Sequence, residues 1–328
     1  MNIDGRHILI TGGTGSWGQE LTRQLLKHNP RQITIFSRGE IAQVSMERSF
    51  NDKRLKFVIG DVRDRDAVDR AMRDVDYVYH LAALKHVPIC ENYGEEAIKT
   101  NILGTINLTA SAIKNGVKKL IDVSTDKAVA PVNMYGMTKG IGERLSIQAN
   151  CLTSETDFIC IRGGNVLGTN GSVVPYIINQ IHAGREVLIT DSDMTRFFLT
   201  LQQAIHLLFE ATDLGMGGET FVMNMPSFYI RDLVDVLIEY YGTSETKIKE
   251  IGKREGEKTH EVLIAEGEVD RAMVVDSNYY VIYPQVDTGR AYPGRMKASF
   301  PAHGFSSADN LKDKDYLRGL LKQGGWLN

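Results

Sequence analysis

The chain has little cysteine. Its 328 residues contain three, Cys90, Cys151 and Cys160, with no Cys-x-x-Cys and no Cys/His ligand spacing. That argues against a disulfide framework or a structural metal site and fits a reducing compartment. Surplus charge of one sign is missing as well: 38 Lys and Arg stand against 41 Asp and Glu, a net charge of −3. There is no basic footprint for nucleic acid and no polybasic patch for a membrane surface. Long apolar runs are absent too. The opening MNIDGRHILITGG holds only a short one before its glycines, too short for a signal peptide or a span of about 20 residues. The chain has no internal repeat and no low-complexity tract. At 42% hydrophobic and 24% charged, the composition is that of an ordinary globular protein with one large domain or two modest ones. A cytoplasmic enzyme or binding protein without a metal is the expectation.

What the sequence does have is alternation. HILIT (7–11), ITIFS (33–37), LKFVIGD (55–61), DYVYHLA (76–82), KLIDVST (119–125) and DFICIR (157–162) read as strands. Intervals such as GQELTRQLLKHN and EEAIKTNILGTINLTASAIKNG carry apolar residues at helical spacing. Strand and helix in turn predict an α/β fold: a Rossmann-type, doubly wound parallel sheet covered on both faces. Beyond about residue 165 the pattern loosens. Gly168, Gly171 and Pro175 punctuate a loop, a helix follows from about Tyr176 to Ala183, and another covers roughly 201–214. The reading is a dinucleotide-binding portion over 1–165, to which the chain returns around 199–222. A smaller, interleaved C-terminal lobe over 166–328 would hold the substrate.

TGGTGSWGQ (11–19) follows the first strand and opens an amphipathic helix, with Gly12, Gly15 and Gly18 in G-x-x-G-x-x-G spacing. Glycine there permits a tight turn, close approach of a pyrophosphate to main-chain N–H groups, and close packing of helix on strand. In the context of strand, turn and helix the motif predicts a phosphate cradle. The second strand ends in Ser37 and Arg38. A basic residue there suits a ribose 2′-phosphate where an acidic one would suit a free hydroxyl, so NADP is expected over NAD. The alternative is that Arg38 is a solvated loop charge. Asp61 either accepts from an adenine amino group or caps the helix that follows.

DVSTDKAVAPVNMYGMTK (122–139) is the stretch that carries chemistry. The strand KLIDVST should end at the carboxyl edge of the sheet, where open α/β sheets bind their ligands, so Ser124, Thr125, Asp126 and Lys127 are expected to face a site. Tyr135 and Lys139 share one helix face at i and i+4. An ammonium close to a phenol lowers its pKa from about 10 toward neutrality and makes the tyrosine a usable base. Asp126 and Lys127 could equally form an ordinary surface ion pair before a turn.

TGGTGSWG, YHLAALKHVP, the STDKA…YGMTK block, GSVVP, DMTRF and REGEKTHE together resemble the extended short-chain dehydrogenase/reductase superfamily. Within it the chain is similar, from about residue 5 to 282, to the soluble UDP-N-acetylglucosamine 4,6-dehydratases of polysaccharide and flagellin-sugar biosynthesis. The resemblance implies transient oxidation at C4 of the sugar, loss of water across C5 and C6, and hydride return to C6. Tyr135 and Lys139 would handle the C4 hydroxyl proton with Thr125 at O4, Asp126 would be the acid for the C6 hydroxyl, and Lys127 the base at C5. As a base Lys127 needs its pKa lowered from about 10.4 toward 7 by burial or a nearby cation, for which Lys85 is the candidate. Thr14, Ser16, Trp17, Val62, Ala82, Lys85 and Asn101 would join Gly12, Gly15, Gly18, Ser37, Arg38, Asp61, Tyr135 and Lys139 around the cofactor. Lys85, Asn165, Val166, Val173, Arg196, Arg254 and Glu257 would hold UDP-N-acetylglucosamine or a close UDP-sugar, the arginines matching its diphosphate. His86 and His260 are given structural roles, and a homo-oligomer is implied.

Two departures bear on specificity. The family carries an aromatic residue after the arginine of the strand that here continues Arg162-Gly163-Gly164-Asn165. Membrane-bound relatives that retain C5 configuration carry methionine where this chain has Tyr135, which points to the inverting type. The competing readings are a C5-retaining dehydratase, a nucleotide-sugar 4-epimerase or oxidoreductase on the same fold, and a non-catalytic NADP-binding regulator.

Overall fold

Apolar, β-branched runs become fully buried strands wherever helix-forming intervals separate them. The computed structural model describes residues 3–169 and 171–327. β1 (His7–Thr11) is buried along its whole length, as a strand with helices on both faces must be. It is followed by α1 (Ser16–Leu25), β2 (Gln32–Ser37), α2 (Glu40–Phe50), β3 (Leu55–Ile59), α3 (Arg65–Ala71) and β4 (Tyr77–His80). The cap of α3 is Asp64, which accepts from the backbone N–H of Ala67, so that duty does not fall to Asp61. Then come α4 (Val87–Asn92), α5 (Gly94–Ile98), a π-helical turn over Lys99–Leu103, α6 (Gly104–Lys114), β5 (Lys119–Thr125), α7 (Met134–Ala149) and β6 (Asp157–Gly163). Asn133 starts α7 by accepting from the Gly136 N–H.

The remaining elements are β7 (Asn165–Val166), α8 (Val173–His182), β8 (Val187–Ile189), β9 (Thr195–Leu199), α9 (Leu201–Leu214), β10 (Thr220–Met223), β11 (Ser227–Tyr229), α10 (Ile230–Tyr241), β12 (Ile248–Glu250), β13 (Val262–Ala265), β14 (Ala272–Val274), β15 (Tyr279–Ile282), β16 (Gly304–Ser306) and α11 (Lys314–Gln323). α8 begins three residues before the expected Tyr176, with Pro175 inside its first turn. The N–H that proline lacks has no intrahelical acceptor there, so the helix tolerates it.

The main sheet has nine strands in the order β14-β15-β10-β6-β5-β4-β1-β2-β3. From β3 across to β10 all pairings are parallel, and β15 and β14 run antiparallel at the far edge. The order reverses direction at β1, the doubly wound arrangement that leaves a crevice at the carboxyl ends of the strands. The chain comes back to the sheet through β10, where a return is expected around 199–222, and again through β15 and β14, which are too short and too closely flanked by polar turns to stand out in the sequence. A second core gathers Val174, Ile177, Phe198, Leu233, Leu237, Leu317 and Leu321 from α8, β9, α10 and α11.

One buried charge ties late segments to early ones. Arg162 of β6 donates to Glu143 of α7 at 2.5 and 3.0 Å, to both oxygens of Glu268 at 2.7 Å, and to the Leu263 carbonyl at 2.9 Å. A guanidinium with its fork filled on two sides is well placed inside a protein, whereas removing it strands two carboxylates. Arg162→Met is expected to lower unfolding free energy by about 3–5 kcal/mol, read from urea denaturation; a loss under about 1 kcal/mol would show that the network carries no weight.

Candidate active site

A cleft of about 1000 Å³ opens at the carboxyl ends of the parallel strands. Gly12 follows β1 on its wall, Arg38 follows β2, Asp61 follows β3 and Ala82 follows β4; Thr125 ends β5, Gly163 ends β6, and Arg254 and Glu257 close it from the C-terminal half. The ends of β1 to β6 all contribute, which is why residues so far apart in sequence meet.

The glycines are there for close approach. Gly12 has φ +66°, and a Cβ on it would lie 2.9 Å from the Ala82 backbone. On Gly18 a Cβ would sit 2.3 Å from the Gly13 carbonyl oxygen, so α1 packs against the turn with no room to spare. Gly15 is the N-cap of α1 and offers no side-chain cap. The first turn of α1 lines the cleft and no N-cap side chain covers it, a fit for a pyrophosphate. Thr14, Ser16, Trp17, Ser37, Val62 and Lys85 also line the cleft. Arg38 is 58% exposed, with its guanidinium 3.9 Å from Asp61. Asp61 is paired more tightly with Arg63 at 2.6 Å; burial would raise its pKa, and the Arg63 hydrogen bonds outweigh that and hold it below the usual range.

Asn101 is not on this wall. Its amide accepts from the Leu84 N–H and donates to the Leu84 carbonyl and the Thr138 hydroxyl, which fixes the loop carrying Lys85. It sits in the π-helical turn, and its influence on any ligand passes through that loop. Arg196 also lies off the cleft wall, contrary to the expected diphosphate contact. Its guanidinium donates to the backbone carbonyls of Thr195, Lys258 and Thr259, and no free fork remains. Asn165, Val166, Val173, Arg254 and Glu257 do line the cleft, and Arg254 and Glu257 stand 3.7 Å apart. His86 is on the wall, and His260 bonds Thr195 at 2.8 Å. At Gly163, where the family's aromatic side chain is missing, the Trp17 ring occupies the adjacent space: a Cβ there would lie 3.7 Å from its Cη2.

The 122–139 stretch is brought together. The Thr125 hydroxyl donates to Asp126 Oδ1 at 2.9 Å and is hydrogen-bonded to the Tyr135 hydroxyl. Lys127 donates to the same Asp126 oxygen at 3.0 Å and to Asn165 Oδ1 at 3.4 Å. Thr125, Lys127, Tyr135 and Lys139 line the cleft, whereas Asp126 is wholly buried behind them. A strand end turning into a short helical turn makes neighbours point apart, so the expectation that both charges face the site fails for Asp126.

Lys139 does not rest on Tyr135. Its ammonium is 3.2 Å from Asp122, whose other oxygen accepts from Ser146 at 3.0 Å. Burial lowers Lys139, and Asp122 more than restores it. Next to that pair His80 bonds Thr11 at 2.8 Å and is pushed down to about 4 by burial, so it is neutral.

Two electrostatic expectations reverse in sign. Burial pushes the Tyr135 phenol up, and Lys139, Lys127 and Thr125 recover only some of it. Burial pulls Lys127 down, but the Asp126 and Glu261 carboxylates outweigh it and hold the ammonium above its ordinary value. Arg196, and not Lys85, is the leading cation acting on Lys127. Sequence reading passed over Asp122 and Glu261. A charge in the middle of the buried run KLIDVST was a usable signal for the first; nothing in the sequence links Glu261 to Lys127.

Residues 8–283 match the family described as polysaccharide biosynthesis protein. A UDP-N-acetylglucosamine 4,6-dehydratase (inverting) of Campylobacter jejuni is 42% identical over 288 residues, covering 87% of this chain and 84% of the relative. A UDP-glucose 4-epimerase of Rickettsia akari is 44% identical over 271 residues, 81% of this chain and 79% of the relative. Among solved structures, Pen from Bacillus thuringiensis superposes with a TM-score of 0.94 at 38% identity, covering 100% of both chains. Among the described residues no helix is long and apolar enough to cross a membrane. The chain belongs to the polysaccharide biosynthesis protein family, within the short-chain dehydrogenase/reductase superfamily that holds nucleotide-sugar dehydratases and epimerases.

Proposed function

We propose that the protein is an NADP-dependent UDP-N-acetylglucosamine 4,6-dehydratase that inverts configuration at C5 and works in the cytoplasm. The observation that carries the reading is the Asp126-Lys127 pair: Lys127 lines the cleft with Thr125, Tyr135 and Lys139, and Asp126, buried behind them, is hydrogen-bonded to Thr125 and Lys127. Exchange at C4 alone needs the hydroxyl and the Tyr/Lys pair; proton transfers at C5 and C6 need two further groups. A nicotinamide dinucleotide in the glycine cradle would accept hydride from C4 and return it at C6.

In this reading Tyr135 takes the C4 hydroxyl proton, Lys139 stabilises the phenolate that this requires, and Thr125 holds O4. Lys127 as the neutral amine removes the C5 proton and later returns one. Asp126 is the source of the proton that leaves with the C6 hydroxyl as water. Both groups bonded to its Oδ1, Thr125 and Lys127, face the cleft, so a path to the sugar exists. Tyr135 gains one proton per cycle and Asp126 loses one; the Thr125 hydroxyl between them lets the site reset without outside acid. Lys85 and Arg254, both on the cleft wall, would meet the diphosphate, Glu257 would accept from ribose hydroxyls, and Asn165, Val166 and Val173 would border the sugar. The 44% identity to a UDP-glucose 4-epimerase favours a second reading, epimerisation at C4 on the same site.

Incubation with UDP-N-acetylglucosamine in deuterated water, followed by proton NMR, is expected to give a 4-keto-6-deoxy product carrying deuterium at C5 with inverted ring couplings. Absence of that product, with NADP added, overturns the proposal. Tyr135→Phe should cut turnover by about 10²–10⁴-fold. Asp126→Asn and Lys127→Ala should each lose dehydration by at least about 10²-fold; near-full turnover in both would favour the epimerase. Arg38→Ala should weaken NADP binding roughly tenfold, through loss of a charge-assisted hydrogen bond, and leave NAD binding unchanged. Equal effects on the two cofactors in a fluorescence titration would make Arg38 a solvated charge.

A further inference from the structure

A group of buried ionisable side chains that this mechanism leaves unused lies near Lys127. Glu261, immediately before β13, is 3% exposed. One carboxylate oxygen is 3.7 Å from Arg196 Nε, and the other, Oε2, is buried without a hydrogen-bond partner among the described residues. Asp126 Oδ2 is in the same condition. β13, which Glu261 immediately precedes, packs against the turn over 126–128, so two carboxylates, each with a buried oxygen unpartnered among the described residues, share the neighbourhood of the cations Lys127, Arg196 and Lys258.

Those cations are not equally able to respond. Arg196 is committed to three backbone carbonyls. Lys258 donates to the Val129 carbonyl at 2.6 Å. Lys127 touches Asp126 and Asn165 and is 22% exposed at the cleft. It is also the leading charge acting on Glu261. The other groups around the cluster are the Tyr135 hydroxyl from α7 and His260, bonded to Thr195 of β9. Glu261 does not line the cleft, so it acts on substrate only through Lys127.

We propose that Glu261 is a positioning residue that sets the protonation state of Lys127 from the C-terminal half of the chain. The inference rests on the dehydratase reading for its catalytic meaning. Lys127 is a base only as the free amine, so turnover should rise with pH through its pKa. A second buried carboxylate beside the ammonium stabilises the charged form and moves that rise to higher pH.

The sign is therefore opposite to that of ordinary damage. Glu261→Gln removes the negative charge, and the acid limb of the kcat–pH profile is expected to move down by about one unit, with KM unchanged. Glu261→Asp keeps the charge and should leave the limb in place. Lys258→Met removes a cation and should move the limb upward, which keeps the proposal open to test if Glu261→Gln fails to fold. In parallel, the pH midpoint for modification of Lys127 by an amine-reactive reagent, read by peptide mapping, should shift in the same directions. A Glu261→Gln profile that is lower at every pH with its limb unmoved, or an unshifted labelling midpoint, overturns the inference. If the wild-type protein forms no dehydrated product, the proposed function fails, and the labelling midpoints still decide whether Glu261 governs Lys127.

Discussion

The ion pair between Lys139 and Asp122 is the contact on which the rest of the site depends. Both side chains are almost wholly buried, one on α7 and the other inside β5. Taking two charges out of water costs several kcal/mol each, and the pair recovers this only if its geometry holds. It fixes the rotation of α7 against β5, and Tyr135, one turn earlier on the same face, is thereby fixed against Thr125. The pair also has no net charge. Lys139 does not bring the buried phenol below its ordinary value, because burial raises it by more than Lys139, Lys127 and Thr125 lower it, and Asp126 adds to the rise.

Arg162 acts likewise on the neighbouring strand. Its fork joins α7 through Glu143 to Glu268, more than a hundred residues later, so the segment after β13 is seated against α7. That seating brings Glu261 up to Asp126 and Lys127. Meanwhile β10, β15 and β14 extend the sheet on the β6 side. The two halves of the chain are thus joined by buried charge as well as by strand pairing, and the cleft lies where the joined surfaces meet.

Local periodicity made the sheet legible. HILIT and KLIDVST are strands over the expected residues, and helix spacing put Tyr135 and Lys139 on one face. The glycine cradle was legible for the same reason, because its turn is made within a few residues. What the sequence could not carry is the sum of interactions through space. Burial and the adjacent Asp126 act most on Lys127, but a carboxylate 134 positions away (261 − 127) adds to them, and the commitment of Arg196 to three carbonyls follows from how the 258–259 segment lies beside β9. Asn101 looked like a ligand contact and instead braces the Leu84 backbone. Residue type and spacing define a chemical repertoire; burial and partners decide which member of it each residue becomes.

The turn after β5 illustrates the distinction. Asp126 and Lys127 are adjacent, yet one is fully buried and the other reaches the cleft. An acid and a base side by side in solution would simply neutralise each other. Here the backbone turns between them, with Thr125 and Lys127 both bonded to one Asp126 oxygen and the second oxygen left bare. In the proposed reaction, separating the two by burial is what would let one dipeptide serve two proton transfers at neighbouring carbons.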